Sequence, residues 1–445
     1  MAQAGANYRR QGGLKTSAEQ MRAGKPVRVA ALVDLPRSPE AGGHVKCWER
    51  LAYAAADASL PLELTVYFSG RRRSETLGPG ARLAHLPPIF STAQLKFLPY
   101  VPDHTDLAPY HPGLARALAG YDVIHTTDAF FAFARTAESV SRRRGVPLTT
   151  SFHTDTPSYT RIFTRQTIEA RFGSGWPARK LIDDWQVPER QGRRMDERLV
   201  QHLRRCAFVA ATTAEQHELA ASILGRSRVG HLRLGIDKQM FSPHRADRAG
   251  VAAELGLAPG DIAVLFVGRL DVGKNIHTLV DAVAALRAEG LPLRLVTAGV
   301  GPAEAEVRAK LGDAAIVPGF VAPERLARLY ASVDLVALVS EVEIRSMVGV
   351  EAMASGAPVL VSKKSGVAEL FQHTPAMRVV EGGAAAWARA LREVVACGNT
   401  LVAMRAAAVD YARRELAGWA EVLEDDLFSL WREAAQPAVA AELIA

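Results

Sequence analysis

Two acids, two cations and a pair of glycines stand in this sequence at spacings that could hold a polyhydroxylated anion. Glu343 and Glu351 bracket "EIRSMVGVE", which follows the strand-like "LVALVS" and runs into "AMASGAPVLVS". A helix starting near Ser346 would aim its first N–H groups at an anion. Glu351 would then lie five residues further in, roughly 7 Å along the axis at about 1.5 Å per residue. Helical side chains lean toward the N-terminus, so its carboxylate could accept bonds from hydroxyls beside that anion. Glu343, on the preceding loop, could do the same on the anion's other side. In "FVGRLDVGKN" a strand ends at Gly268, and Arg269 and Lys274 beyond it could neutralise a diphosphate. Gly42 and Gly43, just before a helix, would let bare backbone approach the same ligand. Each feature alone has an ordinary explanation: chance spacing, solvated cations, a plain turn. Together they have the layout of a nucleotide sugar, with hydroxyls on both sides of a diphosphate.

The elements that must position these groups can be read from the same chain. Its 445 residues are 49% hydrophobic and 23% charged, a globular composition long enough for two or three domains. Short apolar runs recur through the first half at 27–33, 62–68, 121–126, 146–154 and 208–213, separated by helical stretches such as 46–58 and 113–119. The pattern begins again at 262–268, 293–299, 314–320, 334–340 and 358–362. Strand alternating with helix predicts an α/β fold of two doubly wound Rossmann-like domains, with the ligand beyond the carboxyl ends of the strands in the cleft between them. The expected division is a flexible lead-in over 1–25, a first Rossmann-like domain over 26–238, a second over 239–415, and a tail over 416–445 that reads as an amphipathic helix.

Three cysteines, Cys47, Cys206 and Cys397, are too far apart in sequence to suggest a disulfide framework or a metal cage, which fits a cytoplasmic setting. No apolar run approaches the roughly 20 residues needed to span a bilayer, and the N-terminus lacks the apolar core of a signal peptide. Net charge is +7, which favours anionic partners. Between Ser158 and Arg205 stand 11 Arg and Lys against 6 Asp and Glu, with Trp176 and Trp185 among them. A solvated helical face accounts for this as well as a binding surface does. As a surface, it suits an anionic acceptor or peripheral contact with the inner face of a cell membrane. Nucleic acid is not expected, because no nucleic-acid motif accompanies the charge.

From Val27 to Arg432 the chain resembles the retaining, nucleotide-sugar-dependent glycosyltransferases of the GT-B type. The similar group is glycosyltransferase family 4, which holds bacterial mannosyltransferases, glycolipid glucosyltransferases and sucrose-synthase relatives. The resemblance rests on "AGGHVKCWERLA", "YDVIHTTD", "SFHTDTPSYTR" and "GIDKQMFSP", then on "VGRLDVGKNIHTLVDAV", "AGVGP", "VPGFVAPERLARLYASVDLVALVS" and "VEAMASGAPVLVSKKSGVAEL", in order and in register. It implies that Gly42 and Gly43 meet the donor diphosphate and that Gly268, Arg269 and Lys274 stabilise it as leaving group. Glu351 would hold the ribose and Glu343 the transferred sugar, which His153 would approach from the first domain. Gly319, Phe320 and Val321 would lie near the base. Arg345, Ser346, Met347 and Val348 would line the donor site. The resemblance also implies that the domain over 26–238 binds the acceptor and the one over 239–415 the nucleotide sugar, and that the tail helix over 416–445 crosses back to pack on the first domain.

Departures from the family pattern cluster at that site. Ile344-Arg345-Ser346-Met347 stands where Gly-Phe-Gly-Leu is usual, Ser365 replaces a glycine, and Leu234 stands for an Asn. Arg345 adds a charge that could meet an acidic sugar or acceptor. No Asp-x-Asp occurs in the chain, so a metal-independent hexosyltransferase without cofactors is expected, its fixed cations serving in place of an ion. The acceptor expected is a lipid or cell-envelope glycan, bound with help from the Pro- and aromatic-containing segment 86–114. A non-catalytic nucleotide-sugar or anionic-glycan binding protein, or a nucleotide-sugar epimerase, are the alternatives.

Overall fold

The computed structural model describes residues 25–39, 41–95, 104–341, 346–371, 373–396 and 398–436. Eight strands make the first sheet: β1 (Val27–Pro36), β2 (Leu62–Ser69), β3 (Arg73–Gly78), β4 (Ala81–Leu86), β5 (Val123–Thr126), β6 (Leu148–Ser151), β7 (Phe208–Ala211) and β8 (Val229–His231). Their order is β3-β4-β2-β1-β5-β6-β7-β8. After the two-residue β9 (Gly235–Ile236) come β10 (Ile262–Val267), β11 (Leu293–Ala298), β12 (Ala315–Gly319), β13 (Leu335–Leu338), β14 (Val359–Ser362) and β15 (Met377–Val380). These form a second sheet ordered β12-β11-β10-β13-β14-β15. Helices between the strands cover both faces of each sheet, which is why strands such as β1 read as unbroken apolar runs; Val29 to Asp34 are all buried.

Both sheets reverse their winding at one place. In the first sheet β1 leads to β2 on one side and lies beside β5 on the other. In the second, β10 leads to β11 and lies beside β13. Loops leaving a sheet at such a reversal diverge and open a crevice. The three segments that leave β1, β10 and β13 carry, among the described residues, Gly42-Gly43, Arg269 with Lys274, and Ser346 with Glu351. The topology therefore places the chemically suggestive residues at facing crevices.

Strands β3 and β4 are absent from the sequence reading. Arg73 to Thr76 of β3 are exposed, so the edge strand carries no apolar alternation to betray it. It pairs antiparallel with β4, and its arginine and glutamate are the polar residues expected on a sheet edge. Segment 86–114 is ordered where described: Ser91 bridges Asp106, whose carboxylate accepts the Ile89 and Phe90 amides at 2.7 and 2.9 Å.

The tail does cross back. Val422, Leu423, Leu427, Phe428 and Trp431 are fully buried in the first lobe, in one core with Val33, Trp48, Leu51 and Phe68. β16 (Ala417–Gly418) pairs with β9, and Arg233 binds the Asp426 carboxylate through its amide at 2.8 Å and its guanidinium at 3.0 Å. Truncating a buried tryptophan such as Trp431 would cost about 3–5 kcal/mol, so the tail is part of this lobe.

Candidate active site

A cleft of about 1650 Å³ lies between the carboxyl ends of the two sheets. On the first lobe, Gly42 caps the helix Gly43–Asp57 with extended backbone and no side-chain bond, and the first turn carries no acid. A Cβ on Gly43 would stand 3.5 Å from Cγ of Met347 on the second lobe, so the lobes nearly touch there. Met347 opens the helix Met347–Ala354, whose N-cap Ser346 likewise offers no side-chain bond and whose first turn has no acid. Two helix N-termini thus face one space from opposite sides, and each brings N–H groups and partial positive charge.

The cations are held from below. Asp271, buried beneath the loop after β10, accepts the Arg269 guanidinium at 3.2 Å and the Lys274 amide at 2.9 Å. One carboxylate therefore orients both the guanidinium and the turn bearing the ammonium. The loop needs room that only a glycine gives: Gly299 has φ +149°, and a Cβ there would overlap the Gly268 carbonyl. Arg269, Lys274, Gly268 and Gly299 all line the cleft.

Glu351 sits one turn into its helix, on the cleft wall and half-buried. Tyr330 donates to its Oε2 at 3.1 Å. Burial pushes this carboxyl up to about 7, against the Tyr330 bond and the positive charge of Arg50 across the cleft. A carboxylate so placed is short of hydrogen-bond donors when ionised, the state in which ligand hydroxyls can supply them.

His153 follows β6 and is buried. It stacks on His44 at 4.3 Å between ring centres. Its Nε2 lies 3.2 Å from the indole nitrogen of Trp48 and 2.8 Å from Oγ of Ser151. Ser151 also meets Nε2 of His125 at 2.9 Å, and Trp431 of the tail donates to Nδ1 of His125 at 3.1 Å. An indole N–H can only donate, so each of these histidines accepts at the nitrogen named. Neutral His125 then bears its proton on Nε2 and neutral His153 on Nδ1. Burial, with His202 adding to it, holds His125 neutral by pushing it down to about 3. The tail thereby reaches, through three side chains, the histidine at the mouth of the first lobe.

Of the other residues read from the sequence, Phe320, Val321, Ser346, Met347 and Val348 line the cleft, whereas Gly319 is not on its wall. Its φ of +79° turns the chain out of β12 and its carbonyl accepts the Gly299 amide, so it shapes the wall from behind. Glu343 and Arg345 lie outside the described residues. Arg50, Tyr330, His44, Asp34 and Asp128 were not foreseen. Asp34 is buried with one carboxyl oxygen unbonded among the described residues, and burial, then the neighbouring Asp128, hold it well above the usual carboxylate range. It ends the apolar run of β1, and nothing in the one-dimensional pattern marks it.

Residues 248–414, the second lobe, match the family model for group 1 glycosyl transferases. Over this lobe the chain is similar to the group 1 glycosyl transferases. It is 34% identical over 244 residues to a D-inositol 3-phosphate glycosyltransferase of Rhodococcus erythropolis, a match covering 51% of this chain and 54% of that relative. The chain thus spans about half the length of this curated relative. Across the whole architecture it superposes on sucrose-phosphate synthase from Thermosynechococcus elongatus with a TM-score of 0.65 at 19% identity, covering 92% of this chain and 98% of that one. HepE of Anabaena, solved with UDP and glucose, gives 0.58 at 18% identity over 92% and 98%. The two facing lobes and returning tail are the GT-B fold. Among the described residues, no helix is long and apolar enough to cross a membrane.

Proposed function

We propose that the protein transfers a sugar from a nucleoside-diphosphate sugar to an acceptor hydroxyl, with retention at the anomeric carbon and without a metal ion. The observation that carries this reading is the convergence on one cleft of Arg269, Lys274, two uncapped helix N-termini and Glu351. In the reaction the bond between the anomeric carbon and the diphosphate oxygen breaks, and negative charge collects on the diphosphate. Fixed donors aimed at that charge lower the barrier without reorganising. Arg269, Lys274 and the N–H groups of Gly43 and Met347 serve as those donors, in place of an ion. The departing phosphate oxygen takes the acceptor's proton as the new bond forms on the same face. Glu351 grips the ribose and Glu343 the sugar, with the base beside Phe320 and Val321. HepE holds UDP and glucose, so UDP-sugars are the first donors to test.

The first lobe supports an acceptor with an apolar part. Its share of the cleft is lined by Phe130, Phe131, Phe163, Ile168, Leu199 and Leu219. The Rhodococcus relative is named for an inositol phosphate; this wall fits a lipid-linked or envelope-glycan acceptor better. The test is a panel of UDP- and GDP-sugars with and without candidate acceptors. Release of nucleoside diphosphate that depends on acceptor is expected. Saturable binding without release would make this a binding protein, and epimerised donor without acceptor would make it an epimerase.

A further inference from the structure

We propose that the tip of the helical hairpin in the first lobe, residues 172–186, docks on an anionic lipid bilayer. The helices Thr156–Phe172 and Val187–Leu203 lie side by side between β6 and β7, and the chain reverses at their far end. Phe172, Trp176 and Trp185 at this reversal are 48%, 71% and 51% exposed, whereas Trp48, Trp387 and Trp431 are fully buried. The inside of the tip is already filled: Ile168, Ala178 and Ile182 form a small core of their own, with Leu181 and Val187 packed against it. The three aromatic rings are therefore held outward by a built turn, in water that disfavours them. Indole rings suit the boundary between headgroups and acyl chains, with an apolar body on one side and an N–H on the other.

Charge decides among possible occupants. Between residues 161 and 194 there are eight Arg and Lys against four Asp and Glu. Arg171, Arg179, Lys180 and Arg190 are exposed around the aromatics and outnumber the exposed Asp183 and Asp184, and the Lys180 ammonium lies 5.6 Å over the Trp185 ring. A basic rim around an aromatic tip complements anionic headgroups and opposes a second copy of itself. The hairpin also joins the cleft: Phe163, Ile168 and Val187 line it, Ile168 about one turn from Phe172 and Val187 close in sequence to Trp185. Resting on the transferase reading, docking here would let an acceptor present its hydroxyl to the cleft while its apolar part stays near the bilayer. The docking itself requires no catalysis.

The test is flotation of the full chain with vesicles of phosphatidylcholine, with and without one third phosphatidylglycerol. The chain floats with the anionic vesicles, its tryptophan emission shifts to the blue, and neutral vesicles bind at least about tenfold more weakly. Trp176→Ser with Trp185→Ser, and separately Arg179→Gln with Lys180→Gln, each weaken binding about tenfold or more. Both keep the wild-type melting temperature and UDP affinity. A wild-type chain that stays with the lipid-free fraction overturns the proposal. So does an aromatic double variant that floats like wild type, or one whose only change is the loss of a dimer. Flotation reads no sugar transfer, so a failed donor screen would leave this result standing.

Discussion

Lys274→Ala lowers turnover by about two orders of magnitude or more, while the protein melts within a few degrees of wild type. The expected loss is that for removing one donor from a developing oxyanion, about 3–4 kcal/mol of barrier. The Lys274 ammonium lies at the end of a turn whose integrity rests on backbone: Asp271 accepts the Lys274 amide, not its side chain, at 2.9 Å. Cutting the side chain back to Cβ therefore spares the turn and withdraws a charge from the cleft. Arg269 is tied to the same Asp271, so Arg269→Ala is expected to cost a similar factor, and the double variant less than the product of the two. Single-turnover rates with saturating UDP-sugar make the measurement. A near-normal rate in Lys274→Ala would remove the leaving-group role from this residue.

Glu351→Gln is expected to move stability and donor binding in opposite directions. The folded carboxyl titrates near 7 against an ordinary value of 4.5, mainly because it is buried. A folded value above the unfolded one means that the group's stabilising share is complete below about 4.5, declines as pH rises, and is gone above about 7. At pH 8 the ionised side chain costs the fold about 3 kcal/mol, from the size of that shift. Gln removes the charge and keeps an acceptor for Tyr330, so the variant should melt higher at about pH 8 and change little below about pH 5. Donor binding should fall about tenfold or more, because ribose hydroxyls then meet an amide instead of a carboxylate. In wild type the affinity for UDP should drop as pH falls through 7, and in Glu351→Gln the drop should be shallower, leaving only the share from the nucleotide's own phosphate, whose second pKa is about 6. Thermal melts and calorimetric titrations across this range test both halves. A variant that binds UDP normally with an unchanged pH profile would free Glu351 from the ribose.

The fold was legible because parallel strands buried on both faces announce themselves as apolar runs and the loops after them carry glycine and charge. Val27–Pro36 followed by Gly42-Gly43, or Ile262–Val267 followed by Arg269, can be read from order alone. The helix carrying Glu351 was legible for the same reason, since it sits between two such strands and begins at Met347 with Ser346 as its N-cap, close to the expected start near Ser346. What escaped was whatever depends on closure in three dimensions. Tyr330 comes to Glu351 from 21 residues away, and Arg50 from the opposite lobe. The path from Trp431 through His125 and Ser151 to His153 joins residues as far as 306 apart in the chain, and each member taken alone is an ordinary core residue. The exposed edge strand Arg73–Gly78 escaped for another reason: its stability comes from its neighbour, not from its own pattern.

The central claim is that a diphosphate binds between the lobes, and a crystal structure with UDP, or separately with GDP, addresses it most directly. The phosphates should lie within hydrogen-bonding reach of Arg269 and Lys274, between Gly43 and the N-terminus of the Met347–Ala354 helix, with the ribose on Glu351. Nucleotide bound outside this cleft, or inside it with the ribose turned away from Glu351, would contradict the account.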